Sequence, residues 1–324
     1  MISSIGAVAI GRNEGERLRH CLTSLIQQVD RVVYVDSGSR DGSVALARSL
    51  GVEVVELDTS QAFTAARGRN AGVEALRADG LPDHIQFVDG DCLLVQGWIA
   101  AGQAELNRDP TLGLVTGWRS EIHRDASVYN QMCDIEWHRP AGEIRSCGGD
   151  MLVRSTAFDK VDGFNPALIC SEDEDFCLRV RAAGFTARRL PLDMTRHDAN
   201  LTRFGQWWQR NVRSGHGFAE VGGMHGTHFV AERRRVWLYG AVLPLLILLA
   251  LLAALPLVAL ILLAIYGLSW WRTARGLKAQ GQPGKEAAQH AAFYTLAKLP
   301  NLQGMLFYFW RRARGQTATL IEYK

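Results

Sequence analysis

The sequence predicts an α/β fold, a Rossmann-like, mostly parallel sheet with helices on both faces, followed by a C-terminal membrane-associated helical region. Three observations predict it. Short apolar runs of strand length alternate with segments of helical period through the first half, the connections between them are short, and a long stretch at 237–271 carries no charged residue. Strand–helix–strand alternation favours parallel pairing, because a crossover helix returns the chain to run in the same direction. The 324 residues suffice for one large or two modest domains.

The elements follow in order. The first strand is expected at 5–10, and after it Leu18, Cys21, Leu22, Leu25, Ile26 and Val29 form one apolar helical stripe. A second strand at 31–35 precedes a helix striped by Val44, Leu46, Ala47 and Leu50. A third at 52–57 precedes one marked by Ala71, Val73, Ala75 and Leu76, and further strands are expected at 85–88 and 112–116. From 118 to 190 the pattern is less regular, although Phe176, Cys177, Val180 and Ala183 suit a helix that Gly184 ends. The segment 201–230 is rich in aromatic, glycine and histidine residues and has no strong period. In sheets of this kind ligands collect at the carboxyl ends of the strands. The conspicuous polar clusters all stand there: "GRNEGE" after the first strand, "DSGSRDG" after the second and "DGD" after the fourth.

Bulk properties narrow the function. A formal net charge of +3 implies no general polyanion-binding surface, so nucleic acid is not an expected partner. The six cysteines are scattered without a CxxC pair, which suits reduced thiols in a cytosolic environment. The N-terminal stretch has no basic head, so no signal peptide is expected and a folded domain should start close to Met1.

The uncharged run at 237–271 exceeds the roughly 20 apolar residues that span a bilayer as a helix. Pro244 and Pro256 interrupt it, and both flanks are basic: Arg233, Arg234 and Arg235 before it, Arg272, Arg275 and Lys278 after it. Positive charge at both ends favours a hairpin, or two short spans turning near Pro256, with both ends in the cytoplasm. The segment 291–316 mixes aromatic residues with arginines and fits a membrane-surface layer. The expected domains are therefore 1–230 (catalytic), 231–278 (membrane) and 279–324 (amphipathic interfacial tail), with the catalytic domain on the cytoplasmic face of the inner membrane.

The "DGD" stretch raises the chemical question. Two carboxylates at a strand tip repel each other and neither favours a strand. Hard divalent ions such as Mg²⁺ or Mn²⁺ take one or two carboxylates together with substrate phosphates, and would relieve that repulsion. One such motif is weak by itself, because loops are full of aspartates.

It does not stand by itself. "VAIGRNEGERLRHCLTSL", "VVYVDSGSRDGSVALA", "ARGRNAGVEAL", "FVDGDCLL" and "SEDEDFCLRVRAAGF" occur in an order and spacing that closely resembles glycosyltransferase family 2, inverting sugar-nucleotide-dependent transferases of GT-A fold. The resemblance covers about residues 5–185 and implies a nucleotide-sugar donor, a divalent cation and a hydroxyl acceptor. It places Asp36 at the nucleobase, the loop Gly11, Arg12, Asn13 and Glu14 around base and ribose, and Arg67, Arg69 and Asn70 beside the diphosphate. An aromatic often stands at the place of Arg12, which leaves the base open. It places Asp89 and Gly90 at the ribose or donor sugar and Asp91, with Asp89, at the metal. Glu172 and Asp173 match the family's acidic pair at a helix start, with Asp173 as the base that takes the acceptor's proton. The helix N-terminus is expected to favour its charged form; the competing explanation is that these acids only cap the helix. Gly148, Gly149 and Asp150 match the strand under the acceptor, and His197 stands where some GT-A enzymes supply a further metal ligand.

"QWWQR" has the wrong residue order for the QxxRW motif of processive synthases, so Trp207 and Trp208 are expected to stack on the acceptor or lie at the membrane interface. His216, His225 and His228 lack an evident carboxylate partner and are not expected to hold zinc. The long apolar segment suggests a lipid-linked saccharide acceptor. Two alternatives remain: a catalytically inactive membrane-tethered scaffold, and a nucleotidyltransferase, for which "GRNEGE" is too acidic to cradle a triphosphate.

Overall fold

The structure, a computed structural model, describes residues 3–316. The chain divides into two compact units between Thr202 and Arg203.

The first unit is built on one nine-stranded sheet. Its strands are β1 (Ile5–Gly11), β2 (Arg31–Asp36), β3 (Glu53–Glu56), β4 (His84–Asp89), β5 (Cys92–Leu94), β6 (Leu112–Glu121), β7 (Gly142–Glu143), β8 (Met151–Arg154) and β9 (Thr186–His197). They lie in the order β3-β2-β1-β4-β8-β6-β9-β5, with β7 on β9. β3, β2, β1 and β4 are parallel; β8 runs against both β4 and β6, so β6 and its parallel neighbour β9 point the same way as β1. The helices are α1 (Glu16–Ile26), α2 (Ser43–Ser49), α3 (Ala65–Ala78), α4 (Trp98–Arg108), α5 (Val128–Trp137), α6 (Ser155–Lys160) and α7 (Glu172–Ala182).

Two apolar cores form because strands buried on both faces send alternate residues to opposite sides. Ala7 and Ala9 of β1 face a core built with Leu18, Leu22 and Leu25 of α1 and Trp98 of α4. Val8 faces the other, with Val73 and Leu76 of α3, Phe158 of α6 and Phe176 of α7. Each fully buried side chain of this size contributes roughly 1.5–3 kcal/mol. Gly72 sets how closely α3 approaches the sheet, since a Cβ there would lie 2.3 Å from Val8 Cγ1.

Chain order reverses between β1 and β4: β1 leads outward to β2 and β3, and β4 then adds on the other side of β1. At such a switch point the loops leave in opposite directions and open a crevice beyond the strand ends. "GRNEGE" and "DGD" flank that crevice. The irregular sequence after residue 118 contains α5, β8, α6, α7 and β9; its periods were masked because the sheet changes direction at β8 and the helices are short.

The second unit is helical within the described residues: α8 (Phe204–Met224), α9 (Val230–Val236), a wide π turn over Trp237–Val242, α10 (Leu243–Leu252), α11 (Pro256–Ala279), α12 (Gly284–Leu296) and α13 (Lys298–Ala313). The expected boundary at 230 falls inside it, because 204–224 is a helix that packs on α13. Its amphipathic period is blurred by glycines that serve contact: a Cβ on Gly215 would lie 2.0 Å from the Asn301 carbonyl oxygen, and one on Gly304 1.9 Å from that of Val212. Small residues on both helices let the backbones touch.

Residues 230–252 and 256–279 are each long and apolar enough to cross a membrane. At 23 and 24 residues they reach about 35 Å against a hydrocarbon core of roughly 30 Å. Pro244 lacks an N–H for the preceding turn, and the π turn just before it absorbs the missing bond. The chain reverses at 253–255, where Ala254 takes φ 55°, and the Tyr266 hydroxyl donates to the Tyr239 carbonyl across the two helices. Most of their leucines face outward, Leu252, Leu257 and Leu260 being 75%, 69% and 62% exposed, while Leu243 and Leu277 are buried. Residues 317–324 of the expected tail lie outside the described residues.

Candidate active site

Asp89 is the last residue of β4 and stands beside Ile10 of β1. The turn that follows is tight. The Gly90 N–H donates to the Ile10 carbonyl at 2.8 Å, and a Cβ on Gly90 would lie 3.1 Å from that oxygen. Glycine thus lets the second acid turn back toward β9.

Two guanidinium groups hold Asp89. Arg69 Nη2 lies 3.0 Å from one carboxylate oxygen and Arg119 Nη2 3.2 Å from the other. Asp150 lies beneath: it accepts from the Asp89 N–H at 3.1 Å and from the Thr195 hydroxyl at 2.7 Å, and pairs with Arg119 at 2.7 Å. Burial works to raise the Asp89 pKa, but Arg69 and Arg119 outweigh it and hold the carboxyl below its ordinary value. Asp89 is therefore a fixed anion at neutral pH.

Asp91 and His197 are both buried, with Nε2 3.2 Å from Asp91 Oδ2. The other ring nitrogen faces Glu121 at 3.7 Å, and the ring stands edge-on to Trp137 at 4.8 Å. Ligand atoms of Asp91, Cys92 and His197 lie within 4.8 Å of one another, as do those of Asp89, Cys92 and Asp150. Oxygen and imidazole donors at this spacing fit a divalent cation such as Mg²⁺ or Mn²⁺.

Arg69 links the strand tip to α7. It is 2% exposed, its Nη1 is 2.6 Å from Glu172, and its guanidinium lies over the Phe164 ring at 5.3 Å. A Cβ on Gly149 would lie 2.0 Å from Arg69 Nη2, so glycine is the only residue that leaves this passage open. A buried arginine needs such pairing, since an isolated charge there would cost several kcal/mol. Asp173 follows Glu172 on the first turn of α7, and an added Cβ on exposed Gly148 would lie 3.9 Å from its Oδ2. Burial first, then Glu172 and Glu174, push the Asp173 pKa up to about 8, against the pull of Arg69 and the Glu174 N–H. This corrects the expectation that the helix N-terminus keeps Asp173 charged: desolvation and two adjacent carboxylates outweigh the dipole.

The remaining expected residues are placed as follows. Asp36 is buried and accepts from the Tyr34 hydroxyl at 2.9 Å and from the Gly38 and Ser39 N–H groups at 2.9 and 2.7 Å, closing its own turn. Asn13, at φ 58°, receives the Arg40 N–H at 2.7 Å and donates its own N–H to Ser39 at 2.8 Å, joining the first two loops. Arg12 lies over Phe63 at 5.5 Å, and Glu14 pairs with Arg17 at 2.8 Å. Arg67 donates to the carbonyl of Ala62 at 2.6 Å, and Asn70 clasps the backbone of Phe164 with bonds of 2.7 and 2.9 Å. In the second unit, Trp207 is 2% exposed and packs on Phe293 at 5.2 Å, while Trp208 donates to Gln303 at 2.8 Å. The structure thus brings Asp89, Asp91, His197, Asp150, Arg69, Glu172, Asp173 and Gly149 into one connected network.

The family model described as Glycosyl transferase family 2 matches residues 8–154, from the middle of β1 through β8, including the "DGD" turn. Over these residues, just under half of the chain, the sequence matches glycosyl transferase family 2. Among its relatives, the pre-mycofactocin glycosyltransferase of Mycobacterium tuberculosis is 26% identical over 66% of this chain and 46% of its own length. The O-antigen chain rhamnosyltransferase RfbN of Salmonella typhimurium is 25% identical over 59% of this chain and 65% of its own length. The chain thus spans about half to two thirds of the length of these curated relatives. The mannosyltransferase PcManGT from Pyrobaculum calidifontis, solved in complex with GDP-Man and Mn2+, is similar over 96% of this chain and 88% of that one, with a TM-score of 0.61 and 14% identity. That likeness supports the GT-A fold.

Two residues that support the network escaped the sequence reading: Arg119, which pairs with Asp89 and Asp150, and Glu121, which faces His197. A signal for Arg119 existed. β6 and β9 run parallel to β4, so Arg119 and His197 stand at the same sheet edge as Asp89. The rule that polar residues at strand ends mark the site extends to "GWRSE" once that direction is known.

Proposed function

We propose that the protein is a membrane-associated inverting glycosyltransferase. It moves one sugar from a nucleotide-diphosphate sugar to a hydroxyl of a saccharide acceptor, which the apolar hairpin suggests is lipid-linked, at the cytoplasmic face of the inner membrane. The observation that carries this reading is the ion-pair chain Asp89–Arg69–Glu172. It couples the donor-side acid at the switch point to the helix that carries Asp173, whose carboxyl has the pKa of a base working near neutrality. Helix capping alone gives no reason for this pKa or for a buried arginine between the two acidic motifs.

In this reading Asp173 accepts the acceptor hydroxyl's proton as its oxygen bonds to the anomeric carbon. The bond from that carbon to the diphosphate breaks, its electron pair leaving with the nucleoside diphosphate, and configuration inverts. Asp91 and His197, with Asp89 beside them, would hold a divalent cation. Such an ion, when bound, neutralises charge growing on the departing diphosphate. Gly148 leaves space beside Asp173 for the acceptor, and Arg119 and Asp150 keep Asp89 in place.

The test is a panel of nucleotide sugars screened for Mn²⁺-dependent thermal stabilisation, since a bound donor raises stability by mass action. Release of nucleoside diphosphate is then assayed with membrane lipid extracts as acceptor. One donor should stabilise the wild-type protein, and Asp91→Asn and Asp173→Asn should each abolish transfer with the fold intact. Full transfer by Asp173→Asn, or no donor bound across the panel, would overturn the reading. Extraction from membranes at alkaline pH into a soluble form would remove the membrane part of it.

A further inference from the structure

The thiol of Cys92 is assigned no role in the transfer proposed above, yet it sits where four side chains able to ligate a metal converge. Cys92 is buried on β5, directly opposite His197 of β9 in the antiparallel register. Its sulfur is 3.7 Å from Asp91 Oδ1. It belongs both to the group with Asp91 and His197 and to the one with Asp89 and Asp150, each with ligand atoms within 4.8 Å of one another. Mg²⁺ and Mn²⁺ are served by oxygen donors, with imidazole tolerated; a thiol adds nothing for them. Carboxylate, imidazole and thiolate together are the donors that Zn²⁺ and similar ions prefer.

The outer support for such an ion is already built. His197 Nδ1 is buried without a hydrogen-bond partner and faces Glu121 Oε2 at 3.7 Å, leaving Nε2 toward Asp91. Glu121 is fixed in turn by the Ala199 N–H at 3.0 Å and the Asn130 side-chain amide at 3.3 Å. A carboxylate behind a ligating histidine orients the ring and strengthens it as a donor.

We propose that Asp91, Cys92 and His197 form a site for a thiophilic divalent cation of the Zn²⁺ and Cd²⁺ class, which displaces the Mg²⁺ or Mn²⁺ of the transfer reaction and holds the enzyme inactive. The inference rests on the metal reading above, because the two kinds of ion share Asp91 and His197 and cannot be held together. On binding, the sulfur gives its proton to solvent as the metal–sulfur bond forms.

The test uses the full-length protein, purified and stripped of metal, with Cd²⁺ as the spectroscopic probe. Thiolate-to-metal charge-transfer absorption should grow to saturation near one equivalent, persist in Cys21→Ser and vanish in Cys92→Ser. Zn²⁺ should compete for the band, and its affinity should fall about tenfold or more in Cys92→Ser and in His197→Gln. Mn²⁺-induced thermal stabilisation should be unchanged in Cys92→Ser, which also reports that this variant is folded. Two results overturn the proposal: a wild-type protein stabilised by Mn²⁺ that gives no band with Cd²⁺, and folded Cys92→Ser that keeps wild-type Zn²⁺ affinity. A Cys92-dependent Cd²⁺ band without any Mn²⁺ effect would instead support this site and refute Mn²⁺ as the ion of the transfer reaction.

Discussion

Replacing Asp173 with Asn should stabilise the protein while abolishing transfer. The carboxyl has an ordinary pKa of 3.8 and is pushed up to about 8 in the fold. The folded state therefore binds this proton more tightly than the unfolded chain. Below pH 3.8 both states carry it and there is no penalty. Between 3.8 and about 8 the unfolded chain releases it first, so stability falls as pH rises, and above about 8 the penalty is constant. Each pH unit in that window costs the folded state ~1.4 kcal/mol, or about 4 kcal/mol at pH 7 if fully expressed. Asp173 is partly exposed, and solvent screening reduces this to about 2 kcal/mol. Asn carries no charge and escapes the penalty. For a unit of this size the gain corresponds to a rise in Tm of about 4–8 °C at pH 7. Thermal unfolding of both proteins at pH 5, 7 and 9 checks it: the difference should widen with pH and level off above about 8. A difference that does not change with pH, or a less stable variant at pH 9, would refute the assigned environment of Asp173. In the wild type, kcat should rise with one-proton slope through the same region, because only the deprotonated carboxyl accepts the acceptor's proton.

Arg69→Gln strands Asp89 and Glu172 in a buried site and should cost about 3–5 kcal/mol, read as a fall in Tm or in the urea midpoint, whereas substitution of exposed Arg19 should change little. Gly149→Ala should reproduce the Arg69 defect, since its Cβ would overlap the guanidinium, while Gly148→Ala should fold normally and raise the acceptor KM without changing donor binding. Arg119→Met should loosen Asp89 and Asp150 together, lowering kcat; a double-mutant cycle with Asp150→Asn should show strong coupling between the two positions. In the second unit, Gly304→Leu should separate α8 from α13 and lower stability, whereas Leu257→Ala on the exposed side of α11 should not lower the Tm in detergent.

The local signals were strong where one element writes its own pattern. The stripe from Leu18 to Leu25 became α1, and the runs at 5–10, 31–35 and 85–88 became β1, β2 and β4 with one or two residues added at their ends. The segment 204–224 reads without a helical period because Gly215 and His216 serve contact with α13 rather than a plain apolar face. Asp36 is legible as a strand-end acid, but not that its own turn consumes the carboxylate. The sequence places Arg69 beside the diphosphate; only the fold shows it buried between two acids far apart in sequence.

By itself the sequence determined the strand–helix alternation, the acids at the strand tips and the two apolar helices, because each depends on neighbours along the chain and on composition. Tertiary structure alone decided which charges meet. Asp89, Arg69 and Glu172 are joined across the sheet, and Cys92 faces His197 only through strand register. The Asp173 pKa is set by burial that no local pattern encodes. Electrostatics acts through space and depends on solvent exclusion, so chemistry at this site could be named from the chain but tuned only by its folding.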